Sequence, residues 1–176
     1  MKQQSFPAIH DLELMNALLL FLFKGNIAAL SANAVPGVVT SARGNIISPK
    51  VACTQWRSMY DAGKTQNPPI AVATASAFTY VAWSVRQNPT LFVSAAYGGF
   101  GMYTVAAVLT LSIVPYTIAA MKNTNNALLE LADSKGDLLA SRAEVEGLLD
   151  RWITLNWIRS LLPLAGGLVG IAAALL

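Results

Sequence analysis

Charged residues along this 176-residue chain fall in clusters separated by long neutral stretches. No residue is ionised over the 35 positions between Arg86 and Lys122, nor over the 21 between Lys64 and Arg86. Lys24 is the only charge from Leu14 to Ala42, and Arg159 the only one from Trp152 to Leu176. A bilayer-spanning helix needs about 20 mostly apolar residues, so four stretches qualify, roughly 12–36, 68–85, 90–120 and 152–175. A soluble bundle would carry polar residues at every third or fourth position, whereas 70–85 and 161–176 are apolar or small around the whole circumference. The pattern predicts an all-α integral membrane four-helix bundle, one four-span domain over residues 1–176, because a helix satisfies its own backbone hydrogen bonds in lipid.

Local signals refine this outline. Span one is expected to start near Pro7 and to weaken around Val35-Pro36-Gly37. The first long loop, about 37–67, is expected to hold a short interfacial helix around Gln55–Asp61, stopped by Gly63 and Lys64 ahead of Pro68-Pro69. On that helix Trp56 and Tyr60 share a face, and Arg57 and Asp61 pair one turn apart. Pro115 should kink or offset span three, since it removes a backbone donor, and the helix should project onward to Leu128–Ala132. The amides of Asn123, Asn125 and Asn126 would suit a cap for a helix beginning at Ala127. Residues 133–150 are the most polar, with Glu144, Glu146, Asp150 and Arg151 on a solvated face. Trp152 and Trp157 open span four as interface anchors. Gly98-Gly99-Phe100-Gly101, Gly166-Gly167 and Gly170 suit close helix packing in lipid.

Composition narrows the function classes. Apolar residues make up 55% of the chain and charged residues 12%, half the charge of an ordinary soluble domain. That excludes disorder, a nucleic-acid-binding arm and a charged coiled coil, and disfavours a water-soluble globule. Cys53 is the one cysteine and His10 the one histidine, so the chain has neither an internal disulfide nor a site built on two imidazoles. No phosphate-binding loop, dinucleotide fingerprint, haem-attachment motif or histidine-rich set is present. No cofactor and no metal are predicted; a carboxylate-rich metal site drawn from Asp61, Glu130 and His10 is the disfavoured alternative.

The basic residues orient the spans. Lys2 and Arg86 fall on one side, and Arg43, Lys50, Arg57, Lys64, Lys122, Lys135, Arg142 and Arg151 on the other. By the positive-inside rule the long loops are cytosolic and both termini lumenal, in the endoplasmic reticulum or another endomembrane. A signal peptide over Leu14–Phe23, cleaved after Ala32-Asn33-Ala34, is disfavoured because Asp11 and Glu13 stand where a positive segment belongs.

Polar groups inside lipid are expensive and need a reason. Trp152, Asn156 and Arg159 form one helical stripe, suited either to holding helices together or to a site. Asn125 or Asn126 could hydrogen-bond a ligand at the bundle mouth. Lys24 either snorkels or pairs with Asp11, Glu13 or Asp61, and His10 is a general-base candidate by its ordinary pKa near 6.5.

Taken in order, Pro36, then Trp56-Arg57-Ser58-Met59-Tyr60-Asp61-Ala62-Gly63, then Thr124-Asn125-Asn126-Ala127-Leu128, then Trp152-Ile153-Thr154-Leu155-Asn156-Trp157-Ile158-Arg159, the chain resembles the DUF1772, or anthrone oxygenase-like, family of small fungal membrane proteins. The resemblance implies a membrane-bound monooxygenase of secondary-metabolite biosynthesis that oxidises an anthrone-type aromatic polyketide to an anthraquinone with molecular oxygen. It carries Trp56, Arg57, Tyr60, Asn125, Asn156 and Arg159 as matching motif positions. On that footing Arg57 or Arg159 would clamp the developing oxyanion. Asn125 and Asn156 would orient the phenols, and Trp56, Tyr60 and Trp152 would wall a flat pocket. The base would be Asp61, His10 or a substrate phenolate. The expected partners are a planar aromatic polyketide and the lipid bilayer, with no nucleic acid and with homo-oligomerisation left open. Two alternatives stand beside this: a noncatalytic adaptor or transport subunit, and a related enzyme acting on another phenolic polyketide.

Overall fold

The computed structural model describes residues 25, 27–89, 98–134 and 140–175. Pro7, His10, Asp11, Glu13, Lys24, Lys135, most of the first predicted span and the start of the third lie outside them. Among the described residues the secondary structure is entirely helical. A π-helical turn, Leu30–Ala34, runs into α1, Val35–Arg43. There follow α2 (Pro49–Gln87), α3 (Gly99–Leu111), the single turn α4 (Ile113–Tyr116), a second π turn (Thr117–Met121), α5 (Lys122–Asp133) and α6 (Arg142–Leu175). Two helical stretches, Gly99–Asp133 and Arg142–Leu175, are long and apolar enough to cross a membrane.

Proline and glycine act differently from the sequence expectation at several places. The chain does not loosen at Val35-Pro36-Gly37. Pro36 follows closely on the π turn, and the helix continues through it to Arg43. Nor does a short interfacial helix end at Gly63 and Lys64. All 39 residues of α2 are helical, with Pro68 and Pro69 inside it. Gly63 lies within the helix, and a Cβ there would be in ordinary contact, 3.4 Å from Asn67 Nδ2 and 3.9 Å from Leu30. The tandem prolines deprive the Lys64 and Thr65 carbonyls of their helical donors. The turn before them is tied by the Thr65 hydroxyl, which donates to the Ala62 and Asp61 carbonyls at 2.9 and 3.2 Å. Pro115 behaves as its chemistry requires. Its absent N–H would have bonded the Leu111 carbonyl, and α3 ends at Leu111.

The residues cluster into two compact units. In the first, residues 25–67 and 114–160, the core joins Val35, Val39 and Ala42 of α1 to Ala52, Cys53 and Trp56 of α2, Met121 and Leu128, and Val145, Leu149 and Trp152 of α6. Burial pushes the Cys53 thiol pKa up, with Lys50 opposing more weakly. Lys50 closes the C-terminus of α5: its Nζ donates to the Leu131 and Ala132 carbonyls at 3.2 and 3.0 Å, and to the carbonyl and hydroxyl of Ser134. Orphan carbonyls at a helix end are satisfied there by a cation, which also suits the helix dipole. Arg43 reaches Glu146 at 3.3 Å and Asp150 at 2.5 Å, and Arg142 donates to the Ala42 carbonyl.

In the second unit, residues 68–113 and 161–175, small residues set the spacing. A Cβ on Gly166 would lie 2.9 Å from the Ala106 carbonyl and the Thr110 hydroxyl, and one on Gly170 would strike the Phe78 ring. Phe78 in turn stacks on Tyr103, with centroids 6.3 Å apart. Gly166 and Gly170 therefore pack closely as expected, but the glycines opening α3 do not all do so. Gly98 holds a left-handed φ of +78°, and Gly101 has nothing within 4 Å of a Cβ.

Candidate active site

Three helical pieces of the first unit bring the polar residues together. On α6, Trp152, Asn156 and Arg159 recur at helical spacing, so one stripe faces inward: Trp152 is 2% exposed and Asn156 is fully buried. Trp152 is thus a core side chain, correcting its expected role as an interface anchor, whereas Trp157 is 40% exposed. The Asn-rich run does not cap a new helix at Ala127 either. The π turn Thr117–Met121 passes straight into α5 at Lys122 with no capping side chain. Helical phase then turns Asn125 inward to 4% exposure and leaves Asn126 outside.

Asn156 is the hub. Its Nδ2 donates to the Ile27 carbonyl at 2.9 Å and to Ser31 Oγ at 2.7 Å, and its Oδ1 accepts from Arg159 Nη2 at 2.6 Å. The amide's capacity is nearly spent, as a buried amide requires. Arg159 Nη1 lies 3.5 Å from Thr117 Oγ1, while its Nε–H is buried without an acceptor. The Tyr60 and Tyr116 phenols are near enough to interact with this cation, and Tyr116 is fixed by donating to the Leu155 carbonyl at 3.2 Å. Both π turns thus meet this stripe, through Ser31 and Thr117. Such widened turns recur at functional sites because they shift side chains out of α-helical register.

Aromatic contacts complete the cluster. Trp56, fully buried, stacks on Tyr60 at 5.0 Å and meets Trp152 edge-on at 5.9 Å. Its own indole N–H has no acceptor. Trp152 Nε1 donates to Asn125 Oδ1 at 3.0 Å. That bond fixes the sense of the Asn125 amide, oxygen toward the indole and NH2 turned away, because an indole only donates. Tyr60, Thr117, Ile118, Lys122, Asn125 and Asn126 line a cavity of about 300 Å³. This lies at the lower end of small-molecule sites, which span roughly 300–1,000 Å³. Its lining holds one cation and five other side chains, none of them acidic.

Of the residues singled out from sequence, Trp56, Tyr60, Asn125, Trp152, Asn156 and Arg159 form this one connected cluster, and Asn126 lines its cavity. Arg57 and Asp61 are placed elsewhere: Arg57 pairs with Asp133 and, at 3.5 Å, with Asp61, on an exposed face. His10 lies outside the described residues. Among the described residues no group of three His, Cys, Asp or Glu side chains could hold a metal. Ser31, Tyr116, Thr117, Ile118 and Lys122 were missed. Continuing one helix through the asparagines would have put Ile118, Lys122 and Asn125 on a shared face.

A family model for anthrone oxygenase matches residues 56–169, from the stacked tryptophan to beyond the arginine of the stripe. Among curated relatives, an anthrone oxygenase of Aspergillus fumigatus is 35% identical over 164 residues, 86% of this chain and 85% of its own. One of Claviceps purpurea is 33% identical, covering 83% of this chain and 78% of its own. A noranthrone monooxygenase of Aspergillus flavus is 34% identical over 66% of this chain and 52% of its own. No solved structure matches. With two-thirds of its length under the family model and a relative of that closeness along most of it, the chain belongs to the anthrone oxygenase family.

Proposed function

We propose that this protein oxidises an anthrone-type aromatic polyketide to the anthraquinone with molecular oxygen, using the cavity beside Tyr60, Thr117 and Asn125. The observation that carries this is Arg159. It is a guanidinium sealed at Nε, with no carboxylate partner among the described residues, one side chain away from a cavity whose lining holds no acid. A partly buried cation without a counter-ion carries a desolvation cost, and an anionic ligand relieves that cost.

The reaction needs such a cation. An anthrone loses a proton from the methylene between its aryl rings, and the resulting anion spreads its charge onto the carbonyl oxygen. Tyr60 and Thr117 present hydroxyls to that oxygen, with the positive charge of Arg159 behind them. Preorganised stabilisation of this kind is worth about 10²–10³ in rate. The proton goes to a substrate phenolate or to water at the open mouth. The carbanion gives one electron to O2, and the carbon radical and superoxide combine into a C–O bond. The hydroperoxide, once protonated, loses its remaining C–H proton and hydroxide as water, leaving the quinone carbonyl; CH2 and O2 become C=O and H2O. The electrons come from the substrate, so the proposal requires no redox cofactor. Of the three aromatics expected to wall the pocket only Tyr60 lines the cavity and can stack on fused rings; Trp56 and Trp152 are buried behind it in the core, where Trp56 backs the Tyr60 ring.

The setting proposed is a four-span endomembrane domain with cytosolic long loops and lumenal termini. The inverted polarity of the helices supports a lipid environment. Asn67, Thr74, Ser84, Thr110 and Ser160 are buried, while Val72, Trp83, Val108, Ile118 and Leu168 are 54–63% exposed. Eight basic residues on one side of the predicted spans against two on the other support the orientation. Microsomes from a host lacking the pathway, supplied with emodin anthrone, should form the quinone in an oxygen-dependent manner above the spontaneous rate. Formation no faster than in empty microsomes would remove the assignment.

A further inference from the structure

Lys122 is the one cation lining the cavity, and the reaction above leaves it without a task. It is exposed, and among the described residues it enters no ion pair or hydrogen bond. Lys50, Arg43, Arg57 and Arg142 of the same unit are engaged; Lys64 and Arg151 are, like Lys122, exposed and unpaired among the described residues, but of these three only Lys122 lines the cavity. Lys122 stands five residues beyond Thr117, the contact of Arg159, so the two cations serve different ends of the cavity. The intervening Thr117–Met121 segment is a π turn, so the offset is about one helical turn, on the order of 5 Å along the axis. Asn126 lies one turn beyond Lys122 on the same wall, bringing amide N–H donors next to the ammonium.

Resting on the anthrone reading of this cavity, we propose that Lys122 and Asn126 form a second anionic subsite. It would receive an acidic substituent, a carboxylate above all, on the ring remote from the carbonyl that Arg159 serves. The enzyme then prefers anthrones that carry such a group. A charge-assisted contact at a partly exposed rim is modest and screened by salt, so the preference should be about tenfold in kcat/KM at low ionic strength, equivalent to about 1.4 kcal/mol, and should shrink as salt rises.

The test uses an anthrone carboxylate and its methyl ester with full-length wild type, Lys122→Gln, Lys122→Arg and Lys122→Glu. Lys122→Gln should lose about tenfold more on the acid than on the ester, Lys122→Arg should keep the preference, and Lys122→Glu should reverse it. Binding of the corresponding anthraquinone acid and ester, read by quenching of tryptophan fluorescence, should show the same ordering without turnover. Equal handling of acid and ester by wild type, or an equal loss on both in Lys122→Gln, overturns the subsite; the latter is what a lysine serving only a lipid headgroup would give. Failure of wild type to oxidise either compound counts against the anthrone reading itself, while the binding comparison still decides the subsite.

Discussion

Replacing Arg159 by methionine should separate catalysis from architecture, because stability and turnover are expected to respond differently. The substitution deletes one strong bond, Nη2 to Asn156 Oδ1 at 2.6 Å, a contact to a charged group worth about 1.5–3 kcal/mol. The Thr117 contact at 3.5 Å is at the limit of a hydrogen bond and adds little. On the other side, methionine removes a cation without a carboxylate partner among the described residues and a buried Nε–H without an acceptor. The orphaned donor costs about 1–3 kcal/mol, and the unpaired, partly buried cation adds a desolvation cost to it. The two sides should cancel to within about 2 kcal/mol, leaving a folded protein, while oxygen-dependent quinone formation falls by about 10²–10³. Folding can be read independently from Cys53, the single cysteine, which is fully buried: a fluorogenic maleimide reacts with it only as the first unit opens. A variant whose Cys53 is labelled rapidly, yet whose remaining folded fraction turns over normally, would show that Arg159 is structural and refute the reasoning.

Four further outcomes are expected. Arg57→Gln, which breaks exposed ion pairs to Asp61 and Asp133, should change stability by less than about 1 kcal/mol and leave turnover intact; a large loss of activity would return the clamp to Arg57. Trp152→Phe forfeits the bond to Asn125, costing about 1 kcal/mol, and frees the amide to turn, so KM should rise more than kcat falls in steady-state assays. Gly166→Ala meets a backbone carbonyl and should lower the detergent unfolding temperature, at a cost of about 1–3 kcal/mol, whereas Gly101→Ala, with open space, should be neutral or stabilising. The Cys53 thiol is held neutral by burial. Its contribution to stability should be complete below the unfolded thiol's pKa of about 8.5 and fade as pH rises toward the higher folded value, a dependence that Cys53→Ser abolishes in pH-resolved melts.

Much of the site was legible because helical spacing is a property of sequence. Trp152, Asn156 and Arg159 recur at intervals that put them on one face, and Trp56 and Tyr60 do the same one turn apart; the structure stacks the latter pair at 5.0 Å. The errors came from residues whose local tendency packing overrides. Pro68 and Pro69 carry a helix-breaking cost of about 3 kcal/mol each in isolation, yet α2 runs through them. The Asn123–Asn126 run has the composition of a cap, yet lies inside a helix because Asn125 finds the Trp152 indole. Arg57 and Arg159 are the same residue type beside similar aromatics, and nothing in their spacing says which one meets carboxylates.

The sequence by itself therefore determined the helical character, the apolar stretches and the inward stripe of α6, since these depend on side-chain transfer energies and on the 3.6-residue period. Tertiary structure alone decided which polar groups are spent and which are not. Asn156 is saturated by Ile27, Ser31 and Arg159, Arg57 is neutralised by Asp61 and Asp133, and Arg159 is left with no acid opposite it among the described residues. Hydrogen bonding and charge pairing act over a few ångströms, and residues as far apart in the chain as Ile27 and Asn156 or Arg57 and Asp133 meet through them, a proximity that no local pattern encodes.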